Sequence, residues 1–203
     1  MEDNSFFHPG HAEDILHFLT FLTTWEGPQG LGRVYDARRL YLMGHSCSAH
    51  MLASIFLDSS SISPTLSPPL PLLCATQAII MSEGIYDIDL LLSHFPPYRE
   101  WFIEPAFRPL QSYVDFSTTK FPLRSSHIRW LVIHSKGDTL VDQLQSESMY
   151  KHLCKLNEAA AGTLIAKNTD ELDGEHNDVL RGKEFVDIVA SFILDDFSRI
   201  LDI

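Results

Sequence analysis

Leu40-Tyr41-Leu42-Met43-Gly44-His45-Ser46-Cys47-Ser48-Ala49-His50 is the stretch from which the rest of the chain is read. A short apolar run stops at Gly44, a serine follows two residues on, and Ala49 to Leu57 has the composition of a helix. Strand, sharp turn and helix are the parts of a nucleophile elbow. The turn holds the serine in a strained conformation, with its hydroxyl exposed at the carboxyl end of the strand and a helix N-terminus behind it. The usual pattern G-x-S-x-G reads G-H-S-C-S here, with the small residue Ser48 in place of the last glycine. So short a pattern also recurs by chance, and its surroundings must decide.

The bulk of the chain fits one folded domain spanning 1–203. Hydrophobic residues make up 45% and charged residues 21% of 203 residues, enough apolar material for a sizeable core. A formal net charge of −12 argues against nucleic acid or an anionic membrane as partner. Met1-Glu2-Asp3-Asn4-Ser5 is acidic and lacks the basic and apolar regions of a signal peptide, and no apolar run is long enough to span a bilayer. Three widely spaced cysteines, Cys47, Cys74 and Cys154, form neither a disulfide framework nor a zinc pattern, so a reducing, cytoplasmic setting is expected. Cys47 directly follows the serine, where its backbone N–H would donate to an oxyanion.

Around the elbow, periodicity predicts a helix over Ala12 to Trp25 and strands at Arg39 to Met43, Thr76 to Met81, Trp130 to Ile133 and Thr163 to Ala166. Further helices are expected at Leu144 to Leu156 and from Val179 to Ile200, the latter with Phe185, Val189, Phe192 or Ile193, and Phe197 on one face. Residues 58–73 are rich in serine and proline and read as a flexible loop. Residues 84–120 are rich in aromatics and prolines, with short helical pieces, and suit a cap over a substrate. Short apolar strands alternating with amphipathic helices imply a mostly parallel sheet with helices on both faces, whose ligands sit at the carboxyl ends of the strands.

Two more residues stand after strands as Ser46 does: Asp138 after the strand ending at His134, and His176 after the strand ending near Ala166. Serine, aspartate, histidine is the chain order of the α/β-hydrolases. His176 would take the Ser46 proton, and Asp138 would fix the imidazole tautomer. Taken singly, Asp138 suits an ordinary Gly-Asp-Thr turn and His176 a helix start, so the set of three carries the inference. His45 packs beside or lines the site. Tyr86, Tyr98, Trp101 and Phe107 are candidates to contact a substrate ring. His8, His11, His17 and His50 lack metal-ligand spacing, and no metal is expected.

These residues resemble the kynurenine formamidases (arylformamidases), especially the fungal form. The resemblance rests on Gly44 to Ala49, Glu83-Gly84-Ile85-Tyr86-Asp87, Phe95-Pro96-Pro97-Tyr98, Ala106-Phe107, Ser135 to Val141 and Gly174-Glu175-His176-Asn177-Asp178, and runs through the chain from His8 onward. It implies an α/β-hydrolase fold and hydrolysis of N-formyl-L-kynurenine to L-kynurenine and formate in tryptophan catabolism. It implies no cofactor, a small aromatic formamide as partner, and leaves a homodimer open. Carried over by motif, Ser46 is the nucleophile, Asp138 the acid and His176 the base.

The family also carries an upstream strand ending in His-Gly-Gly-x-Trp, whose N–H groups form half of the oxyanion hole. That segment does not occur here, so the expectation is an N-terminally incomplete α/β-hydrolase domain whose first strands are missing. Two other readings stand beside the formamidase: a general carboxylesterase of the same fold, and a catalytically impaired remnant.

Overall fold

The computed structural model describes residues 6–158 and 161–201; the side chains of residues 161 and 196–201 lie outside the description. Among the described residues, four strands form one parallel sheet in chain order: β1 (Leu40–His45), β2 (Thr76–Ser82), β3 (Arg129–Ile133) and β4 (Ile165–Asn168). The strands are apolar because both faces are covered, and the pleat divides their side chains by alternation. Ile79 and Met81 of β2 and Trp130 and Val132 of β3 point into one core, whereas Ala78, Ile80, Leu131 and Ile133 point into the other.

The first core is closed by α1 (Gly10–Thr24), α2 (Cys47–Phe56), α3 (Leu70–Ala75) and α6 (Gln143–Leu156), through Leu16, Leu19, Leu52, Phe56, Leu72, Met149 and Leu153. The second is closed by α8 (Lys183–Leu201), whose Phe185 and Phe192 are buried. Over the carboxyl ends of the strands lies a third apolar cluster, built by α4 (Ile88–His94), a π-helical turn at Arg99–Ile103, α5 (Glu104–Phe107) and the 3₁₀ turns Val114–Phe116 and Thr118–Lys120. Residues 84–120 therefore have their own packing, centred on Ile88, Leu91, Ile103 and Tyr113. No helix among the described residues is long and apolar enough to cross a membrane.

Three sequence expectations are corrected. The stretch 58–73 is more than a loop. Leu66 is fully buried, Ser59 Oγ donates to Ser54 O at 2.7 Å, and α3 starts at Leu70. Pro69 and Pro71 suit that start, because a helix's first turn has no use for the N–H that proline lacks. β4 begins two residues late, after a one-turn helix, α7 (Ala161–Leu164), since Leu164 packs on the first core. The final helix is preceded by a separate 3₁₀ turn at Asp178–Arg181, with Gly182 in extended backbone between the two. The side chain of Phe197 lies outside the described residues.

Phe56, the last residue of α2, is completely buried in the first core. Truncation there leaves a cavity as well as lost transfer energy, so Phe56→Ala should lower unfolding stability by about 3–5 kcal/mol, measured by urea denaturation.

Candidate active site

Each strand of the sheet delivers a polar residue at its carboxyl end. Ser46 follows β1, Glu83 follows β2, Asp138 follows β3 and His176 follows β4. Ser46 caps α2 with φ 56°, in the left-handed region that disfavours a side chain, and its N–H donates to Ser82 O at 2.9 Å. This is the strained elbow expected from the sequence. Gly44 is obligatory there: a Cβ would lie 2.7 Å from Ser48 C and O and 2.8 Å from Ala49 N. Ser48 is exposed, so a side chain fits where the pattern usually has glycine. Cys47 opens α2, and its N–H is among the helix-end donors without an intrahelical acceptor.

Two backbone N–H groups and an imidazole hold Asp138. Its Oδ1 accepts the N–H groups of Leu140 (2.8 Å) and Val141 (3.0 Å), and its Oδ2 faces His176 Nδ1 at 2.7 Å. The two side chains are 0% and 7% exposed. Burial alone raises the Asp138 pKa, but the hydrogen bonds from His176, Val141, Leu140 and Glu83 outweigh it and leave the carboxyl below its ordinary range.

The loops carrying Asp138 and His176 are fastened to one another. Lys136 N–H donates to Leu172 O (2.9 Å), Ser135 Oγ to Gly174 O (2.6 Å) and Thr139 Oγ1 to Glu175 Oε2 (2.7 Å). Gly137 permits this contact, since a Cβ there would sit 2.1 Å from Asp173 O.

Ser46 and His176 open onto one cleft of about 330 Å³, walled by Cys47, Ile85, Tyr98, Trp101, Phe102, Leu140 and Val141. Tyr98 and Trp101, two of the candidates named from the sequence, stand in its wall. Three other candidates are elsewhere. Tyr86 is fully buried in the first core, its ring lying over Gly84, where a Cβ would come within 2.2 Å of the Tyr86 hydroxyl oxygen. Phe107 stacks on His8 at 4.9 Å and lines a smaller cavity of about 70 Å³ with His50 and Cys47. His45 packs its ring against that of His176 at 4.6 Å and meets Ser82 Oγ at 3.2 Å, beside the cleft and not in its wall. Burial, then the charge of His176, holds His45 below the ordinary imidazole range.

Sequence reasoning missed several groups around this site. His50 is a buried imidazole and His8 a half-buried one, pushed down chiefly by desolvation to about 4 and about 3. Glu83 is 0% exposed and had no assigned role. Its only sequence signal was a carboxylate directly after an apolar strand. Its Oε1 and Oε2 share the Ser135 N–H (2.9 and 3.1 Å), and Oε2 lies 3.1 Å from His134 Nδ1. Donor atoms of Glu83, His134 and Asp138 fall within 4.8 Å of one another, and each is engaged in hydrogen bonds within the protein. The arrangement is suited to sharing a proton.

Sheet order, elbow and the placing of these residues define an α/β-hydrolase fold, as in an esterase B from Lactobacillus rhamnosis (TM-score 0.67, 16% identity, 95% of this chain and 62% of that one). An acetyl ester-xyloside bifunctional hydrolase from Caldicellulosiruptor lactoaceticus is similar to the same degree (TM-score 0.65, 15% identity, 95% of this chain and 68% of that one). In sequence, the chain is similar to a kynurenine formamidase of the yeast Meyerozyma guilliermondii, 27% identical over 147 residues, or 70% of this chain. It spans about half (52%) of that relative's length. No family model matches the chain.

If the contact at Gly137 holds the two loops in register, Gly137→Ala should overpack it. A loss of about 1–3 kcal/mol in unfolding stability is expected, read by thermal and urea denaturation.

Proposed function

We propose that this chain supplies the nucleophile, base and acid of a serine hydrolase acting on the formamide of an aromatic amine, with N-formyl-L-kynurenine as substrate. The observation that carries this reading is the 2.7 Å bond between His176 Nδ1 and Asp138 Oδ2 on the cleft that also holds the strained Ser46. The similarity to a kynurenine formamidase supports the choice of substrate.

With Nδ1–H donated to Asp138, the free Nε2 of His176 is the atom that takes the Ser46 proton. Ser46 Oγ then attacks the formyl carbon, and the oxyanion forms against the Cys47 N–H. Collapse breaks the C–N bond, and His176 returns its proton to the departing aryl amine. Water, deprotonated by His176, hydrolyses the formyl-enzyme to formate and restores Ser46. No cofactor enters any step. Tyr98, Trp101 and Phe102 provide an apolar aromatic wall for the substrate ring. The His-Gly-Gly segment that gives the family a second source of oxyanion donors does not occur in this sequence. Removing one such donor costs about 10²–10³ in kcat, so slow turnover is expected of the chain alone. The reading places the reaction in the cytoplasm, in tryptophan catabolism.

A second reading, a general carboxylesterase, is favoured by the esterases among its neighbours in fold. The ratio of kcat/KM for N-formylkynurenine to that for p-nitrophenyl acetate separates the two. The formamidase reading expects the formamide to be preferred.

On N-formylkynurenine, Ser46→Ala should abolish turnover, and Asp138→Asn should cost on the order of 10⁴ in kcat, as when a triad aspartate loses its tautomer control. Trp101→Ala should raise KM by about 2- to 10-fold, the value of one aromatic pair. Equal rates for the wild-type chain and Ser46→Ala would refute the nucleophile.

A further inference from the structure

We propose that Glu83 is a positioning residue of this site: it stands behind Asp138 as a neutral carboxylic acid and donates its proton to the carboxylate that orients His176. The inference rests on the reading of Ser46, His176 and Asp138 as one reacting unit, and goes beyond it in assigning a role to a residue outside that unit.

Backbone geometry comes first. Glu83 leaves β2 with φ 50°, a conformation unfavourable for any residue with a side chain, and it turns the carboxyl group inward to complete burial. Strain of this sort at a strand end next to reacting groups persists only where the surroundings hold it. Glu83 N–H donates to Ile133 O, and its carboxyl oxygens receive the Ser135 N–H, so the end of β3 and the start of the Asp138 loop grip it at backbone and side chain.

The charge state follows from counting donors. The Glu83 and Asp138 carboxyls have oxygens within 4.8 Å of one another and both side chains are shut off from water, and two carboxylates so placed do not both ionise. Asp138 has two backbone N–H donors on Oδ1 and the imidazole on Oδ2, whereas the Glu83 carboxyl shares a single backbone N–H. The anion therefore resides on Asp138 and the proton on Glu83. The groups facing Glu83 agree. His134, at 3.1 Å, is held below its ordinary range chiefly by burial, so it is neutral and supplies no cation. Tyr86, on the same turn, is fully buried and pushed above its ordinary range by desolvation and then by Glu83. Asp142 acts on His134 from the start of α6, and His45 packs on His176 beyond Asp138. Desolvation, opposed by the Ser135 N–H and reinforced by Asp138, pushes Glu83 from its ordinary 4.5 up to about 9.

Two consequences follow. As a neutral donor, Glu83 occupies a lone pair of Asp138 and leaves Oδ2 aimed at His176. When Glu83 ionises at alkaline pH, a second negative charge appears beside Asp138, and the orientation of His176 is lost. Folding also takes up this proton. A carboxyl near 4.5 in the unfolded chain and about 9 in the folded one gives stability that is complete below 4.5 and falls as pH rises towards 9.

The test uses the whole chain as wild type, Glu83→Gln and Glu83→Ala. One readout is the rate at which a fluorophosphonate probe labels Ser46 across the pH range, and the other is the pH dependence of urea unfolding. Glu83→Ala should label about tenfold more slowly at neutral pH, the cost of one buried donor. Glu83→Gln still presents N–H to Asp138 and should recover most of that rate. The wild-type rate should fall with an apparent pKa near 9, and that fall should be missing in Glu83→Gln. The unfolding free energy of Glu83→Gln should lack the one-proton decline between 4.5 and 9 shown by the wild type. Superimposable labelling profiles, or equal stability slopes, would overturn the proposal. If Glu83→Ala does not fold, the glutamine variant and the slopes decide the matter. A folded wild-type chain that is never labelled would refute the Ser46 reading and the positioning role together, while the slopes would still locate the proton.

Discussion

The hydrogen bond between His176 and Asp138 is the interaction on which the site depends, and it exists only because two loops from different strands are held in register. Asp138 leaves β3 and His176 leaves β4, and neither loop has regular structure of its own at these residues. Their positions come from contacts between the loops: the Lys136–Leu172, Ser135–Gly174 and Thr139–Glu175 hydrogen bonds, with Gly137 allowing close approach. Two backbone N–H groups then immobilise one carboxyl oxygen, which leaves the other for the imidazole. A carboxylate so bound is cheap to bury and stays ionised, as an orienting acid requires.

The sheet supplies the common frame. Parallel strands in sequential order bring successive carboxyl ends to one edge, so Ser46 and His176, 130 positions apart in sequence (46 to 176), open onto a single cleft. Burial of both faces makes this frame stiff, and the elbow depends on that stiffness. The strain stored at Ser46 and Glu83, the positive-φ residues that end β1 and β2, is sustained by backbone bonds to the neighbouring strand: Ser46 to Ser82 and Glu83 to Ile133. The cap's own apolar cluster lies over the strand ends, and Trp101 is exposed towards the cleft.

Much of this was legible in the residues. Two-sided burial makes strands such as Trp130 to Ile133 continuously apolar, and a strand followed by Gly-x-Ser before a helix has few other local solutions. Ser46, Asp138 and His176 were legible because loop residues directly after such strands fall at one edge whatever the details of packing. The aromatics of the cap were not, since nothing in their spacing says which ring faces inward. Tyr86 is buried in the core and Trp101 lines the cleft, though both follow β2 in an aromatic-rich segment. Glu83 escaped notice because its role arises from a neighbour 55 positions on (83 to 138) and from complete exclusion of water, neither of which is local in the chain. The α3 helix was hidden by prolines that look like breakers yet are tolerated at a helix start.

Kinetic non-additivity tests the central claim, that Ser46 and His176 act as one unit, most directly. Hydrolysis of an activated ester would be measured for the wild-type chain, Ser46→Ala, His176→Ala and the double variant. Residues of one mechanism fail together, so the double variant should be no slower than either single variant. Losses that multiply in the double variant, or a wild-type rate equal to that of Ser46→Ala, would contradict the account.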